Sequence, residues 1–441
     1  MGSLDAEAES GKGTADQSLE VREAAYEKFV WDNLKRNYLG NYLHGMLGMT
    51  GFRLVNAPTF LPAYLHMISG SSSVVGLGLA LQTIGGVLTP IFGATHIEHR
   101  PKVMPLAMWA GGAGRLAILG MGLAGWFLKG HALVIGLIAM MFTFGVFMGI
   151  QRVIFSFLMA KVIPMNRRGR LQAWRNVSGG LIAAGMAYLA GKYLIEPDLF
   201  GHGYGLTFIA AFVLTSLGIS AVAILLREPE PPVLRQKSRL RDRVTDFPAL
   251  LRSDPDYARF LIVQMLATSS RIATPFYIIY VGQRTQLSGS QIGLLTVAFL
   301  LADTLSNLVW GYMGDKAGYR RVALIAFILW IGATAVLMTL HAMPFIFLAF
   351  AGLGAGGSAY MMAANTMVLE FGSREEMPMR LALSATAENI AAAASPLVGG
   401  VLADMLGFQM VFGLSIGFLA AAFILMLIAV KDPRGRRASA V

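Results

Sequence analysis

Along this chain, long apolar stretches alternate with short polar breaks, and each stretch has the length of a membrane crossing. Apolar runs stand near residues 38–66, 73–95, 103–128, 132–160, 171–194 and 205–227, and again near 259–282, 290–313, 322–341, 345–370, 380–404 and 408–430. A helix needs about 20 residues to cross the hydrocarbon core. A backbone inside the bilayer has no water to satisfy its polar groups, so these runs predict helices. Ahead of them, Met1 to about Glu20 is polar, acidic and rich in small residues, which predicts disorder. Val21–Arg36 reads as an amphipathic stretch lying on the membrane surface. No charged, apolar and then small-residue cleavage pattern opens the chain, so no signal peptide is expected.

Composition agrees with the pattern. Of 441 residues, 55% are hydrophobic and 14% charged, with a mean hydropathy of +0.59. A soluble domain carries about 25% charged residues, so this chain could not cover its surface in water.

The net charge of +11 invites a nucleic-acid reading, and the distribution of the 36 Lys and Arg removes it. Five precede the first run. Twenty-four fall in connections after even-numbered runs or in the C-terminal tail, against three (Lys129, Lys192 and Arg284) in connections after odd-numbered runs. Cationic loops stay on the cytoplasmic side, so both termini are expected there and the number of crossings is even. The positive charge thus reads as a topology signal, with attraction to anionic headgroups added. The expected partners are the lipid bilayer and a small molecule, with no nucleic acid.

The longest inner connection carries the run Glu228-Pro-Glu-Pro-Pro and then repeated basic residues. It predicts a cytoplasmic segment at 1–37, a first six-helix bundle at 38–227, a linker at 228–258, a second bundle at 259–430 and a tail at 431–441. The halves repeat one another. Run 1 reads Arg53-Leu-Val-Asn-Ala-Pro58 and run 7 reads Arg271-Ile-Ala-Thr-Pro275, each a mid-span arginine with proline a turn later. After run 8 stands Gly311-Tyr-Met-Gly-Asp315-Lys-Ala-Gly318-Tyr-Arg320-Arg321, and after run 2 Gly93-Ala-Thr-His-Ile97-Glu-His-Arg100-Pro-Lys102.

These residues resemble the major facilitator superfamily, whose signature between the second and third helix of a half is Gly, Asp four residues on, Gly and a basic pair. The second copy matches closely; the first has Ile97 where Asp belongs and lacks the second Gly. Pro164-Met-Asn-Arg-Arg168-Gly169-Arg170 resembles a further element of many members. The resemblance spans roughly residues 38 to 430. It implies an all-α membrane protein of twelve transmembrane helices in two pseudosymmetric six-helix bundles, with N- and C-termini cytoplasmic. A central cavity is lined by helices 1, 4, 7 and 10 and worked by rocking. It further implies a gate in which Asp315 reaches the start of helix 5 near Arg170, with Gly311, Gly318, Arg320 and Arg321 belonging to it.

Ionisable residues inside a span are costly and so are functional candidates. Arg53 and Arg271 stand at matching depths, with Asn56, Gln264, Thr268 and Thr274 around them. Two converging guanidiniums would suit a carboxylate or phosphate, and resemble the arrangement in organophosphate–phosphate antiporters. The alternative, equally open, is that each arginine is tied to a carboxylate or carbonyls and only holds the bundle. Arg152 either faces the cavity or snorkels to the inner interface, and Arg115 reads as a structural pair with a neighbouring helix. Asp303 and Glu388 are candidate proton carriers, or partners for Arg271. Among the aromatics, Phe52, Phe60, Tyr277, Tyr280 and Tyr360 could shape the cavity or simply pack, and Tyr277 is taken as a candidate contact.

Other chemistry finds no residues. There is no cysteine, hence no disulfide or thiolate, and no phosphate-binding Gly-x-x-x-x-Gly-Lys-Ser/Thr loop. His96 and His99 lie in a loop one turn apart, which alone is too little for a metal site. No metal and no cofactor is expected, and no acidic or histidine cluster of a membrane enzyme appears. The expected function is secondary active transport of a small, anionic solute, coupled to protons, by a monomer in a cell membrane, the bacterial inner membrane. Its rivals are proton-independent anion exchange and an enzyme or assembly factor reusing the fold.

Overall fold

A computed structural model of the chain describes residues 19–90, 100–231, 250–252, 254–371 and 377–430. The first copy of the repeated motif at residues 93–99, with His96 and His99, lies outside the described residues. So do most of the basic linker, the acidic N-terminal residues through 18, and the tail.

Among the described residues the helices group into twelve spans. Eight are long, apolar and continuous: Met104–Phe127, Gly130–Val162, Gly203–Leu225, Gly289–Ala317, Tyr319–Thr339, Met343–Glu370, Met379–Leu406 and Phe408–Ile428. They form spans 3, 4, 6 and 8 to 12. Span 2 is the shorter helix Ser72–Leu88. Span 5 runs through Met165–Ala190 and a π-helical turn at Gly191–Ile195. It begins earlier than the apolar pattern suggests because its first basic turn, Arg167 to Arg170, is already helical.

Spans 1 and 7 are the interrupted ones, and the sequence explains where. Span 1 is helical through Leu34–Leu43, loosens into a π-helical turn at His44–Gly48, continues as Met49–Asn56 and restarts as Phe60–Ser69. The break falls at Ala57, whose ψ of 139° is the extended value that a following proline enforces. Span 7 is helical through Pro255–Ser269, tightens to a 3-10 helix over Ser270–Phe276 around Pro275, and resumes as Tyr277–Thr285. Both arginine–proline repeats therefore sit at a local break. Before span 1, residues 19–32 are helical, with Val21, Phe29 and Trp31 exposed. Tyr26 ties that helix to the bundle, its hydroxyl donating to Lys161 O at 2.8 Å.

Glycine seams set the packing within each half. A Cβ on Gly145 of span 4 would stand 1.9 Å from Gln82 O of span 2, and one on Gly354 of span 10 would stand 2.2 Å from Phe299 O of span 8. The two seams are counterparts, because helix 4 of each half lies backbone-to-backbone on helix 2. Gly145→Leu is expected to force the seam apart and to destabilise the protein by ~3 kcal/mol or more, at or beyond the usual range for overpacking. Gly417→Leu, on an open face, should be nearly neutral. Thermal unfolding in detergent compares them; equal transition temperatures would refute the seam.

Between halves, span 2 packs on span 11 and span 5 on span 8. One hydrophobic core runs through both halves and includes Phe60, Leu65, Phe208, Tyr280, Leu295 and Phe412. Two further cores stay within a single half each: Ile154, Leu158, Leu171 and Val222 in the first, and Tyr257, Phe260, Phe327 and Met367 in the second. The shared core occupies the end remote from the chain termini, and the separate cores occupy the terminal end. The halves are therefore joined at the far end and stand apart at the terminal end.

Candidate functional site

A cavity of about 400 Å³ lies between the halves at the level of the two helix breaks. Span 1 contributes Asn56 and Pro58, span 2 Gln82 and Thr83, span 4 Arg152, span 7 Arg271 and Thr274, and span 11 Ala392 and Pro396. The breaks make this possible. Ending the helix at Asn56 leaves its side chain exposed to the cavity, where Gln82 Nε2 donates to Asn56 Oδ1 at 2.9 Å. Gln82 Oε1 is buried with no hydrogen-bond partner among the described atoms. Arg152 and Arg271 are both exposed in the cavity wall. Among the described residues neither is within ion-pair distance of a carboxylate, and no carboxylate lines the cavity.

Arg53 is placed differently from the expectation that it would converge with Arg271. Its guanidinium lies over Gly180, crosses to the second half, donates to Thr304 Oγ1 at 2.5 Å and stands 3.5 Å from Asp303. Its side chain is 17% exposed and that of Asp303 30%. Asp303 thus serves Arg53 rather than Arg271. The pairing is steric in origin: Gly180 has no side chain and leaves the slot through which the arginine reaches span 8. The cationic pair facing the cavity is Arg152 with Arg271.

Arg115 takes the structural role. It is 2% exposed, donates to Thr215 O at 2.7 Å and Gly111 O at 2.6 Å, and lies over the Phe52 ring at 5.4 Å. Carbonyl dipoles and an aromatic face compensate its charge.

Gln264 meets Glu388 in a network beneath Arg271, which Thr268 joins through Tyr360. Gln264 Nε2 donates to Glu388 Oε1 at 3.2 Å, and Ser384 Oγ donates to Gln264 Oε1 at 2.8 Å. The Tyr360 hydroxyl lies 3.1 Å from Gln264 O and 3.4 Å from both Glu388 Oε1 and Thr268 Oγ1. Arg271 is the cation whose field reaches this carboxylate. Tyr277 is not part of the cavity: its hydroxyl shares a 2.7 Å hydrogen bond with Thr334 and its ring packs on Phe412. The 3-10 segment before it turns the residue toward spans 9 and 12.

The sequence profile of the Major Facilitator Superfamily matches residues 259–440. A Lactococcus lactis protein named as a homologue of the multi-drug resistance efflux pump PmrA is 23% identical over 400 residues, covering 86% of this chain and 90% of its own. The multidrug resistance protein MdtG of Serratia proteamaculans is 30% identical over 141 residues, or 32% of this chain, and the chain spans only 34% of that relative's length. A crystal structure of a point mutant of the nucleoside transporter NupG superposes with a TM-score of 0.71 at 13% identity, covering 89% of this chain and all of that one. The second half of the chain thus matches the major facilitator superfamily, and the whole chain shares the fold of the solved transporter. It is a multi-pass membrane protein, with eight helices among the described residues long and apolar enough to cross a membrane.

The superfamily motif lies at the terminal end of span 8. Gly318, at φ 88°, ends that helix, and Asp315 accepts a hydrogen bond from the Tyr319 hydroxyl at 3.1 Å. Arg320 donates to Met426 O and Leu427 O at the end of span 12. A Cβ on Gly311 would meet open space, and Arg321 is exposed. Arg170 lines a separate groove beside Lys35 and Tyr38.

The far end holds two contacts that sequence reasoning missed. Asp404, closing span 11, accepts from Ser71 Oγ at 2.7 Å and from Ser72 N and Ser73 N at 2.8 Å each, which places a carboxylate on the start of span 2. Glu196, closing span 5, accepts from Ser290 N at 2.9 Å at the start of span 8. The two are pseudosymmetric counterparts. The one sequence signal was an acid ending the fifth helix of each half, too common a feature to single out.

Proposed function

We propose that this chain is a secondary transporter for a small anionic solute, held in the central cavity by Arg152 and Arg271. The observation that carries the reading is the pair of cavity-facing guanidiniums with no carboxylate in ion-pair contact or in the cavity lining among the described residues. A charge at this depth must be paired or hydrated, and a carboxylate or phosphate can engage each fork bidentately. Asn56 and Gln82 supply neutral donors and acceptors opposite. Of the two candidate proton carriers we assign coupling to Glu388, which lies in the field of Arg271. A solute that engages that guanidinium alters the field in which Glu388 holds its proton. Asp303 acts on the halves instead, since protonating it would release Arg53 from its bridge.

The basic connections favour a cytoplasmic terminal end. The arrangement described is then the inward-facing one, and the bacterial relatives favour a bacterial inner membrane. Movement to the outward-facing state requires the Asp404 and Glu196 contacts to part. Each sets a carboxylate on a helix start, worth about 0.3–2 kcal/mol from the dipole. Asp404→Asn is expected to shift the population toward the far-side-open form by roughly two- to thirtyfold. The chain has no cysteine, so spin labels at Lys129→Cys and Ala342→Cys can report the distance across the far end. An unchanged distribution would exclude Asp404 from the closure.

A second reading, efflux of amphipathic compounds, is favoured by the apolar part of the wall (Val55, Leu61 and Leu79) and by the named functions of the MdtG and PmrA relatives. Proteoliposomes screened with carboxylates, organophosphates and cationic lipophilic dyes, with and without an imposed pH gradient, separate the two. Accumulation of anions that responds to the gradient is the expected result. Transport of cationic dyes alone would overturn the anion reading.

A further inference from the structure

A groove of about 620 Å³ opens at the terminal end between the beginnings of spans 1 and 5, apart from the central cavity. Its walls carry Lys35, Tyr38 and Tyr42 from span 1 and Arg167, Arg170 and Trp174 from span 5. Three cations and three aromatic rings therefore meet in one cleft, and no acid lines it.

The neighbouring cations are committed elsewhere. Arg36 donates to Leu225 O and Ile224 O, capping the end of span 6, and Arg168 donates to Ile163 O and Ala160 O. Lys35, Arg167 and Arg170 are exposed in the groove and form no ion pair among the described residues. The groove shares no lining residue with the cavity, and its exposed apolar neighbours suit lipid. Trp174 is 53% exposed and Leu39 47%, and Leu181, seven residues beyond Trp174 on the same helix face, is 45% exposed. Span 5 meets the second half with other residues, Gly180 and Gly191. A strip of apolar surface thus runs from the cationic cleft into the hydrocarbon region.

Depth completes the match. The cleft lies at the first turns of two crossings, beside the helix at 19–32 with its exposed Phe29 and Trp31, which is the level of headgroups. Aromatic rings favour that level, and basic pockets between helices attract anionic headgroups there.

We propose that this groove binds the phosphate headgroup of an anionic phospholipid, with its acyl chains running along Leu39 and Leu181. The cations supply charge-assisted hydrogen bonds to phosphate oxygens, and the rings flank the glycerol region. The occupant is a lipid because the cationic cleft continues into an apolar strip that a soluble phosphate would leave uncovered.

The test uses the full chain purified from vesicles of equal phosphatidylglycerol and phosphatidylcholine, with retained lipid counted by native mass spectrometry. Wild type should retain phosphatidylglycerol selectively. The triple variant Lys35→Gln/Arg167→Gln/Arg170→Gln should lose roughly tenfold or more of that preference, at about a few-fold to tenfold per cation. A charge-matched control, Arg100→Gln/Lys102→Gln/Arg252→Gln, removes three cations from the same end outside the groove and should keep it. The single variant Trp174→Ala, which changes no charge, should reduce total lipid retention at the site. Equal loss in both triple variants would reduce the effect to net charge and overturn the site, as would no loss in either. Displacement of the lipid by millimolar inorganic phosphate would show a soluble-phosphate site and overturn the lipid assignment. Detergent elution profiles and unfolding temperatures establish that each variant compared is folded.

Discussion

Replacing Arg271 with alanine is expected to raise the dissociation constant for the transported anion by roughly 30-fold to a few thousandfold. The basis is the cost of truncating one partner of a buried, hydrogen-bonded charge pair, about 2–5 kcal/mol, with a factor of ten for each 1.4 kcal/mol. Arg152→Ala should act in the same direction, because it contributes the other cavity guanidinium. Arg271→Lys retains the charge and loses the planar fork, so it should recover part of the affinity and no more. Folding should survive in all three, since both side chains end in the cavity wall and not in a packed core. Solute-induced shifts in unfolding temperature, measured beside the unfolding temperature of the empty protein, read both quantities at once. If the lysine variant binds like wild type, a diffuse positive potential suffices and the bidentate site is wrong.

The second large effect concerns Arg53, and its expected pattern is the opposite. Arg53→Ala should lower stability while leaving Asp303 without its partner beside the cavity. A fully buried pair broken on one side costs about 3–5 kcal/mol. Here the side chains are 17% and 30% exposed, so water can reach the orphaned carboxylate and the cost is nearer ~2 kcal/mol. The double variant Arg53→Leu/Asp303→Leu removes both charges and should recover most of the loss, giving a coupling energy of about 1–3 kcal/mol in a double-mutant cycle. Solute binding by the double variant should stay within a few-fold of wild type. Were Arg53 a solute ligand, the double variant would bind as poorly as the single one. Arg53 also bridges the halves through Asp303 and Thr304, so far-end distance distributions should broaden in Arg53→Ala.

Taken together, the two experiments separate roles that look identical along the chain. Arg53 and Arg271 are each a mid-span arginine followed by proline, and each lies at a break in its helix. One ends in the cavity and the other in an ion pair with the opposite half. The closed far end, held by Asp404 and Glu196, and the parted terminal end fit a cavity that fills from the terminal side.

By itself, the sequence determined the features that local pattern and solvent control. Apolar run length gave twelve crossings, because the bilayer thickness fixes how many residues a helix must commit. The distribution of basic residues gave an orientation to test. The paired prolines at 58 and 275 stand where the helices are interrupted: the residue before Pro58 leaves the helical region, and Pro275 sits within a 3-10 segment. The Gly311–Arg321 motif carried the resemblance to the superfamily whose profile matches the second half. The buried role of Arg115 was also within reach, whereas Gln264 and Thr268, expected around Arg271, meet Glu388 and Tyr360 instead. Tertiary structure alone decided which way each helix turns about its axis. Spans apolar on every side carry little rotational information, so sequence could place Arg53, Arg152 and Tyr277 at a depth but not on a face. Gly180 made room for Arg53 to reach Asp303, and the 3-10 turn before Tyr277 sent that ring to the periphery. Contacts such as Asp404 with Ser71 join residues more than 300 positions apart. They exist because two bundles close on one another, and no local pattern records which acid meets which helix start.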